Sequence, residues 1–566
     1  MPMARPAIRL LTLLTAAGLA FGAGAQEDIR LPDLGSSANA LLSPQDAQNY
    51  GAAMLREMRS MDMVVDDALL DDYFNDLGYR LVAGSDKPKE HFSFFVVKDP
   101  EINAFAAPGG YIAVNSGLIA ITRSESELAG VMAHEIGHIT QNHLQRAFEA
   151  SKKDAPLMAL ILLGAIAAGA GGNSGDAGMA VLAGGQGLIA QRSINFTRKD
   201  EVEADRVGIQ TLANAGFDPR AMASFFERMQ DTLRAGSGGS SDVPELLQTH
   251  PVTLARISDA KSRANALLEQ QKLRPTASTL TRSQWEKATA PIPYVKDPSA
   301  LAPPPHRPGS VDTYALMRER ARVLAGDASQ LALYYGSNLA KRQDFDTVAN
   351  RYGYALALMR SGRGSDAVNQ LQPLLQAHPG NQVLQLAMAD AKLQAGRRAE
   401  ALALYGDLNA RSPRNRAIAL AYAKALIADD GKSQASTAAG LLRPMLDNAD
   451  EPDIYRTYAR ASDKAGDPVR AGEAFADASY LSGRPFDAME QLKRLLKRDD
   501  LDYYARARIQ ARIADLTPLV MELRKRKVQT EDNPDGRSQP LRNGQLRNGK
   551  DACVQRLCFG VDGGPG

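Results

Sequence analysis

Cysteine is nearly absent from this chain. The only two cysteines, Cys553 and Cys558, lie among the last residues of the sequence. A disulfide framework and a thiol nucleophile are therefore excluded from the rest of the chain. Two isolated cysteines are also too few for a zinc knuckle. In an oxidising compartment the pair can close a small loop, which would stabilise only the tail.

An excess of charge of one sign is also lacking. The 67 Lys and Arg residues against 65 Asp and Glu residues leave a net charge of +2 at pH 7. Basic residues are scattered and form no aromatic-interleaved strip, so we expect no nucleic-acid partner. The apolar share of 44% and the charged share of 23% are those of a globular protein. With 566 residues, the chain is too long for one hydrophobic core, which predicts several domains.

The apolar run near the N-terminus, residues 10–20, is too short for a comfortable membrane span. It follows a segment made basic by Arg5 and Arg9, and it precedes a small-residue cleavage site. This is the layout of a secretory signal peptide, so we predict that residues 1–25 are cleaved and that the chain is exported. An uncleaved membrane anchor is the alternative. Residues 26–42 are predicted to be an unstructured lead-in.

One stretch carries the pattern of a metal site, His134-Glu135-x-x-His138. It lies in a predicted helix that begins near Ser124 or Ser126. Residues four apart share a helix face, so both imidazoles can bind one metal ion, with Glu135 close enough to handle a proton of the attacking water. Zinc suits such ligands because it accepts nitrogen and oxygen donors and leaves a coordination position open. The pattern alone also arises by chance, so its surroundings must decide.

A third ligand is predicted further along the chain. Thr197 and Asp200 have the spacing of a helix cap, and the helix that follows carries Glu201 and Asp205 one turn apart on the same face. Glu201 can be the third metal ligand, and Asp205 can orient a ligating imidazole through a hydrogen bond. Glu203 points nearly the opposite way. Carboxylates are common at helix starts, so the preceding histidine motif is what favours this prediction.

His143 is not predicted to be a ligand. An extended metalloprotease pattern places Gly three residues and His six residues after the second histidine, where this chain has Gln141 and Leu144. On a continuous helix, His143 would also lie about 180° away from His134. We therefore expect it to be a surface or packing histidine.

Two helices and two strands are predicted before the histidine motif. Apolar periodicity and a cap favour helices near 43–59 and 66–81, and β-branched and aromatic residues favour strands at 91–97 and 111–115. We expect the strands to form a small antiparallel sheet around the turn at 103–110. Its edge strand can bind an extended peptide through main-chain hydrogen bonds, largely independent of the peptide's sequence. A purely structural hairpin is the alternative.

Three motifs in this order resemble peptidase family M48, which consists of zinc metallopeptidases. They are Asn103-Ala-Phe-Ala with Pro108-Gly109-Gly110, the motif from His134 to His138, and Glu201-Val-Glu-Ala-Asp205. The resemblance covers residues 43–265. It implies a gluzincin-type domain, one zinc ion per chain and Glu201 as the third ligand. It also implies that His250, in a Thr-His-Pro loop, lies beside the metal, where it either caps the zinc and holds the enzyme latent or assists the transition state.

Residues 155–187 are the least typical part of this region. The segment 155–170 is almost entirely apolar, and the remainder is rich in Gly and Ala. Two predictions stay open. One is a soluble helical pair beside the active site that contacts a membrane surface or a barrel substrate, and the other is insertion into a membrane.

A repeat region follows a proline-rich linker at 266–310. Residues 349–381 align with 382–415, and the matching positions, 34 residues apart, are Gly362 and Gly396, Ala367 and Ala401, and Pro379 and Pro413. This is the tetratricopeptide period, so we predict an α-solenoid at 311–520 with a concave groove for a protein or peptide. The polar segment 521–566 is predicted to be a disordered tail.

The predicted fold is therefore mainly α, with a gluzincin-type metalloprotease domain and small antiparallel sheet followed by tetratricopeptide repeats. A protease with such repeats resembles a periplasmic branch of the M48 family. That resemblance implies a zinc-dependent endopeptidase with unfolded or misassembled outer-membrane proteins as substrates, whose repeats bind the barrel-assembly machinery. Glu135 would then be its catalytic base. The alternative is a chaperone or adaptor that acts through its repeats and has a latent protease site.

Overall fold

Helices dominate the computed structural model of the chain, which describes residues 43–147, 197–236, 244–273 and 311–525. The predicted signal peptide, the lead-in, most of the linker, the two tail cysteines and the whole of 155–187 lie outside these ranges. None of the helices within them is both long and apolar enough to cross a membrane. The described chain is mainly α, as predicted, with one small sheet.

In the described residues before the linker, eight main helices lie around one sheet. They are α1 (Pro44–Ser60), α2 (Ala68–Gly84), α3 (Ser116–Ile121), α4 (Glu125–Thr140), α5 (residues 197–214), α6 (Ala221–Gly236), α7 (Glu245–Thr249) and α8 (Leu254–Leu273). A further short stretch, residues 143–147, is also helical. The helices predicted near 43–59 and 66–81 are confirmed as α1 and α2. Helix α8 continues past residue 265, where the linker was expected to begin.

Three strands form the sheet, in the order β1-β3-β2. They are β1 (Ser93–Val97), β2 (Ala104–Ala107) and β3 (Tyr111–Asn115). Strand β3 pairs antiparallel with β2 but parallel with β1. The prediction of an antiparallel sheet made of 91–97 and 111–115 is therefore wrong, since those two segments pair in parallel and the sheet is mixed. Strand β2 escapes prediction because it is rich in alanine, a weak strand former.

Helix α4, which carries the histidine motif, begins where its cap predicts. Ser124 is the N-cap residue, and its hydroxyl accepts a hydrogen bond from the Glu127 N–H at 3.3 Å. The Glu127 carboxylate in turn accepts hydrogen bonds from the Arg228 guanidinium and the Arg123 backbone N–H. Buried residues lie on every face of α4, as expected of a helix inside a core. The motif is thus held on a rigid element.

Glycines let α4 and α5 cross closely. A Cβ atom added to Gly137 on α4 would come within 3.1 Å of the Ala204 carbonyl oxygen on α5. A Cβ atom added to Gly208 on α5 would come within 3.1 Å of the His134 backbone nitrogen. Because these neighbours are backbone atoms in a densely packed core, larger side chains would push the helices apart. The close crossing brings the start of α5 to the histidines of α4.

The region after the linker consists of helix pairs. Its helices are α9 (Thr313–Ala325), α10 (Ala328–Lys341), α11 (Val348–Arg360), α12 (Gly364–Ala377), α13 (Gln382–Gln394), α14 (Arg398–Arg411), α15 (Arg416–Leu426), α16 (Lys432–Leu442), α17 (Pro452–Ala465), α18 (Pro468–Leu481), α19 (Pro485–Leu495) and α20 (Tyr503–Lys525), with 3-10 turns at Gln343–Phe345 and Arg443–Asn448. The predicted repeat is confirmed in conformation, since Gly362 and Gly396 both have φ of 77°. Ala367 and Ala401, also one period apart, are both fully buried.

The repeats pack directly against the first helices of the chain. Arg320 on α9 donates to both carboxylate oxygens of Asp67 at 2.7 Å each. Arg416 on α15 lies 2.9 Å from Asp72 on α2. Arg322 donates to the carbonyl oxygen of residue 120, on α3, at 3.0 Å. The described residues from Pro44 onward accordingly form one compact unit.

Asp71, on α2 beside this interface, provides a stability prediction. Its carboxyl group is buried, and its Oδ2 has no hydrogen-bond partner among the described residues. Burial raises its pKa well above the ordinary value, and the charges of Glu451, Asp67 and Asp66 add to this effect while Arg59 opposes it. The folded chain therefore keeps a proton that the unfolded chain loses above pH 4. The contribution of Asp71 to the unfolding free energy is therefore lost as the pH rises from the unfolded pKa to the folded pKa.

Replacing Asp71 by Asn removes this ionisation. We expect the Asp71→Asn chain to be more stable than the wild type at pH 8, by on the order of 1 kcal/mol, and to gain less at pH 5. Urea unfolding at the two pH values measures the difference. Asp407→Asn, an exposed site on α14, is the control and should leave the pH dependence of stability unchanged. A pH dependence equal to that of the wild type in Asp71→Asn would contradict the assignment.

Candidate metal centre

His134 and His138 lie one turn apart on the same face of α4. Their Nε2 atoms approach to 3.0 Å, so both rings point to one position in space. Of the two, His134 is the more deeply buried. The i,i+4 spacing of the motif thus produces the convergence expected of two ligands of one ion.

Glu201, in the first turns of α5, completes the cluster. Its Oε2 lies 3.3 Å from the Nε2 atom of His134, and its Oε1 lies 3.4 Å from the Nε2 atom of His138. The carboxylate reaches the imidazoles because α4 and α5 cross at the Gly137 and Gly208 contacts. The structure therefore brings together all three residues that the sequence predicted as metal ligands.

His250 joins the same cluster from the end of α7. Its Nδ1 atom lies 2.9 Å from the Oε1 atom of Glu201 and 3.4 Å from the Nε2 atom of His134. The short helix α7 is held in place by a hydrogen bond from the Leu246 N–H to the Ile102 carbonyl at 3.2 Å, just before β2. His250 is thus a fourth donor residue, and the third nitrogen donor, in the same cluster.

The four residues fit a tetrahedral zinc ion. Zinc–nitrogen distances of about 2.0–2.1 Å place the donor atoms of a tetrahedron about 3.3 Å apart. Five of the six separations between side-chain donor atoms of His134, His138, Glu201 and His250 are 2.9–3.4 Å, with Oε2 of Glu201 facing His134 and Oε1 facing the other two histidines. The donor set, three imidazoles and one carboxylate, is also the chemistry that zinc prefers. Among the described residues these four form a compact candidate group for a metal ion.

The charges around the cluster favour a cation at its centre. Burial alone lowers the pKa of His134, but hydrogen bonds with Asp205 and Glu201 outweigh it and raise that pKa to about 10. Burial lowers the pKa of His138 to about 3, which keeps this ring neutral and its lone pair available. Burial raises the pKa of Glu201, but hydrogen bonds from the three histidines outweigh this effect and keep Glu201 ionised.

Glu135 lies beside the cluster without belonging to it. Its side chain is 1% exposed, and Oε1 lies 3.8 Å from the Nε2 atom of His250. That Oε1 atom has no hydrogen-bond partner among the described residues, although the carboxylate accepts a hydrogen bond from the Ala106 N–H of β2. Burial raises its pKa, which nearby His250 and His134 partly offset. A buried carboxylate with an unused acceptor atom is suited to taking a proton.

Asp205 and Arg256 form a layer behind the ligands. The Oδ1 atom of Asp205 lies 3.0 Å from the Nδ1 atom of His134, the ring nitrogen that faces away from the cluster. Arg256 binds both oxygens of Asp205, at 2.7 and 2.8 Å, and its Nη1 atom also lies 2.9 Å from Glu201. The Arg256 guanidinium therefore contacts both the ligand Glu201 and Asp205, the carboxylate that faces His134.

Arg256 was not predicted, although the sequence contains one signal for it. It stands in the first turn of α8, where the helix dipole disfavours a cation. A basic residue at that position indicates a strong acidic partner elsewhere. The identity of the partner, Asp205, is not readable from the sequence because the two residues lie on different helices.

The structure corrects half of the expectation for His143. Its side chain is 5% exposed, so it is not a surface histidine, and its Nδ1 atom lies 2.9 Å from the Nδ1 atom of His138, so it is not 180° away from the site. Its burial agrees with the other half of the expectation, a packing histidine. The helical-wheel argument fails because α4 ends at Thr140 and Asn142 has a positive φ of 55°. The chain turns there, so residues on either side of the turn do not share one helix axis.

Comparison with known proteins supports the same assignment. The Peptidase family M48 pattern matches residues 69–264, and a tetratricopeptide-repeat pattern matches residues 358–425. A beta-barrel assembly-enhancing protease of Yersinia pestis is 34% identical over 496 residues, which cover 88% of this chain and 93% of that protein. The protein of the same name in Escherichia coli K12 is 33% identical over 491 residues, which cover 86% of this chain and 91% of that protein.

A more distant relative matches a smaller share of the chain. A mitochondrial metalloendopeptidase of Arabidopsis thaliana is 28% identical over 217 residues, which cover 38% of this chain and 40% of that protein. The M48 match at 69–264 includes every residue of the histidine and carboxylate cluster, and the bacterial relatives match both the protease and the repeats. The chain is therefore a metalloprotease of peptidase family M48 that carries tetratricopeptide repeats.

Proposed function

We propose that the chain is a zinc-dependent endopeptidase of the periplasm that degrades unfolded or misassembled outer-membrane proteins. The observation that carries the proposal is the convergence of His134, His138 and Glu201 to tetrahedral spacing beside the buried Glu135. The predicted signal peptide at residues 1–25 supports export. The name of the bacterial relatives, beta-barrel assembly-enhancing protease, supports the substrate class.

In this proposal His134, His138 and Glu201 hold one zinc ion, and Asp205 orients the His134 ring from behind. When bound, zinc polarises the substrate carbonyl and makes water a better nucleophile. Glu135 accepts the proton of the attacking water through its free Oε1 atom. It then delivers that proton to the nitrogen of the leaving amine, so that one carboxylate serves as base and then as acid.

The edge strand β2 provides a place for the substrate backbone. It lies at one end of the sheet order, with β3 as its partner on one side, and it contacts α4. An extended peptide can add to such an edge through main-chain hydrogen bonds, and this mode reads little sequence. An unfolded barrel protein offers many extended segments, whereas a folded barrel has its strands paired. We therefore propose that folding state, more than sequence, selects the substrate.

The repeats provide the second part of the proposed function. Tetratricopeptide arrays bind proteins or peptides through their concave surface. We propose that they bind the barrel-assembly machinery and so place the protease where unassembled barrels accumulate. Because α9 and α15 pack on α2 through Arg320 and Arg416, a protein bound to the repeats would be held on the same compact body as the protease helices.

Metal removal tests the enzymatic part of the proposal. The purified chain is mixed with an outer-membrane β-barrel protein freshly diluted from urea, and degradation is followed by gel electrophoresis. We expect a zinc chelator to stop degradation and one equivalent of added zinc to restore it, because the proposed reaction needs the metal ion that the three ligands hold. Magnesium is the control and should not restore activity, since it prefers six oxygen ligands. Degradation that persists after complete zinc removal would contradict the proposal.

His250 leads to a prediction about latency. Its Nδ1 atom lies 2.9 Å from the Oε1 atom of Glu201 and 3.4 Å from the Nε2 atom of His134, so as a fourth ligand it would take the coordination position that zinc otherwise leaves open. We propose that it caps the metal, as the first of the two roles considered for it. His250→Ala should then increase the degradation rate of unfolded substrate several-fold, with an unchanged circular dichroism spectrum. A decrease in turnover with the fold intact would instead indicate that His250 assists the reaction, and it would contradict the capping role.

A chaperone or adaptor function is the second candidate. His250 favours it, because as a fourth ligand this residue would leave the protease site latent. The repeat region also favours it, since tetratricopeptide arrays bind proteins or peptides through a concave surface. In that case the chain would hold unfolded barrel proteins without cleaving them. The Glu135→Gln chain, discussed below, separates the two functions.

A further inference from the structure

We propose that His143 is a positioning residue for the metal centre, which accepts the Nδ1–H of His138 and fixes the orientation and tautomer of that ligand. This inference rests on the proposed function, because it assigns His138 to a metal ion. It adds a residue that lies outside the three motifs and that the sequence predicted to have no part in the site.

The contacts of His143 form a continuous line. On one side, its Nδ1 atom lies 2.9 Å from the Nδ1 atom of His138. On the other side, its Nε2 atom lies 3.2 Å from the Oε2 atom of Glu203 and 3.8 Å from Asp200. Arg146 binds both of these carboxylates, at 2.5 Å to Glu203 and 3.1 Å to Asp200. His143 is thus held between the ligand and a paired set of charges.

These contacts determine where the protons must be. With a metal ion bound, the Nε2 atom of His138 would offer its lone pair to the ion in place of its contact with Glu201, and the ring would carry its hydrogen on Nδ1. That hydrogen points to the Nδ1 atom of His143, which must therefore be an acceptor. His143 then carries its own hydrogen on Nε2, where Glu203 accepts it. A single arrangement of protons satisfies all three residues.

The two ligating histidines then have different supports. The outer nitrogen of His134 faces the carboxylate of Asp205, which is charged and paired with Arg256. The outer nitrogen of His138 faces the neutral ring of His143, with the nearest carboxylate one residue further away. Such outer partners commonly change metal affinity by about 10–100-fold. We therefore expect His143 to contribute to zinc affinity in its own right.

The same residues do not form a second metal site. His143, Asp200 and Glu203 have ligand-like spacing, but the Arg146 guanidinium already lies between the two carboxylates. A cation placed there would have to displace it. The inference therefore includes a stoichiometry of one zinc ion per chain.

Two substitutions of His143 separate positioning from packing. His143→Phe keeps a planar ring but has no acceptor, whereas His143→Asn keeps an oxygen near the position of Nδ1. We expect His143→Phe to lower zinc affinity about 10–100-fold, and His143→Asn to recover most of that loss. Zinc affinity is measured on the full chain by competition with a chromophoric chelator, and kcat for unfolded barrel protein is measured alongside. His378→Phe, at the end of α12 in the repeats, is the control and should change neither.

The outcomes distinguish this inference from the proposed function. Circular dichroism and thermal unfolding of the zinc-depleted chains show whether each variant folds. If the wild type binds zinc and cleaves but folded His143→Phe keeps its zinc affinity, the positioning role is wrong while the protease remains. If His143→Asn loses as much affinity as His143→Phe, His143 acts by packing and the inference is also wrong. A wild type that binds no zinc would overturn both proposals.

Discussion

Replacing Glu135 by Gln is expected to reduce proteolysis by about 10²–10⁴-fold, because the reaction loses its general base. Gln has the same shape as Glu and can still accept the Ala106 N–H of β2. It cannot take a proton from water at neutral pH. Since Glu135 contributes no donor atom to the four-residue cluster, the zinc content of the variant should equal that of the wild type. Loss of activity with metal retained is the specific signature of a base.

The measurement combines two readouts on the same preparations. Degradation of an unfolded outer-membrane barrel protein gives the rate, and metal analysis gives zinc per chain. Glu227→Gln is a matched control, because Glu227 is an exposed carboxylate on α6 that pairs with Lys261 at the surface. It should change neither quantity, as surface ion pairs contribute little. Degradation by Glu135→Gln at the wild-type rate would remove the enzymatic proposal.

The same variant also tests the chaperone alternative. If the repeats hold unfolded barrel proteins, the Glu135→Gln chain should suppress their aggregation in a light-scattering assay as well as the wild type does. The repeats are far from Glu135 in sequence, and their packing on α2 involves Arg320 and Arg416, which this substitution leaves in place. A wild type that suppresses aggregation but never cleaves would favour the adaptor function.

Local patterns explain why much of this protein was predictable. His134 and His138 meet because any helix places residues four apart on one face, whatever surrounds it. The repeats were predictable for a similar reason. Gly362 and Gly396 adopt the same positive φ because each ends a helix at the same place in a 34-residue unit. In the first case the determining residues lie within one turn of each other, and in the second a local helix end is repeated at a fixed spacing along the sequence.

The features that escaped prediction depend on contacts between distant segments. Strand β3 lies between β1 and β2 because of how the connecting chain folds back. The alternation of side chains along a strand does not predict which strands become neighbours. His143 reaches His138 because Asn142 adopts a positive φ, which few non-glycine residues do. A helical wheel assumes that the helix continues, and one residue was enough to make the assumption fail.

Arg256→Met is expected to destabilise the folded chain by about 3–5 kcal/mol, because two buried carboxylates lose the guanidinium they share and keep only His134 as a cationic neighbour. Asp205 and Glu201 are each 3% exposed, and Arg256 contacts both, at 2.7 and 2.9 Å. The guanidinium also lies 4.9 Å from the centre of the Phe226 ring, so its loss removes packing as well. Removing one partner of a buried ion pair costs more than the pair itself contributes.

Urea unfolding of the zinc-depleted chain measures this effect, and chelator competition measures the accompanying loss of zinc affinity. Arg263→Met is the control on the same helix, since Arg263 pairs with Asp259 at the surface and should contribute at most about 1 kcal/mol. Arg256→Lys should resemble Arg256→Met more than the wild type, because a single ammonium cannot bind both Asp205 oxygens and Glu201 together. An Arg256→Lys chain with wild-type stability and zinc affinity would show that charge alone is needed there. The three separate contacts of the guanidinium, two to Asp205 and one to Glu201, would then not be needed to hold these carboxylates beside His134.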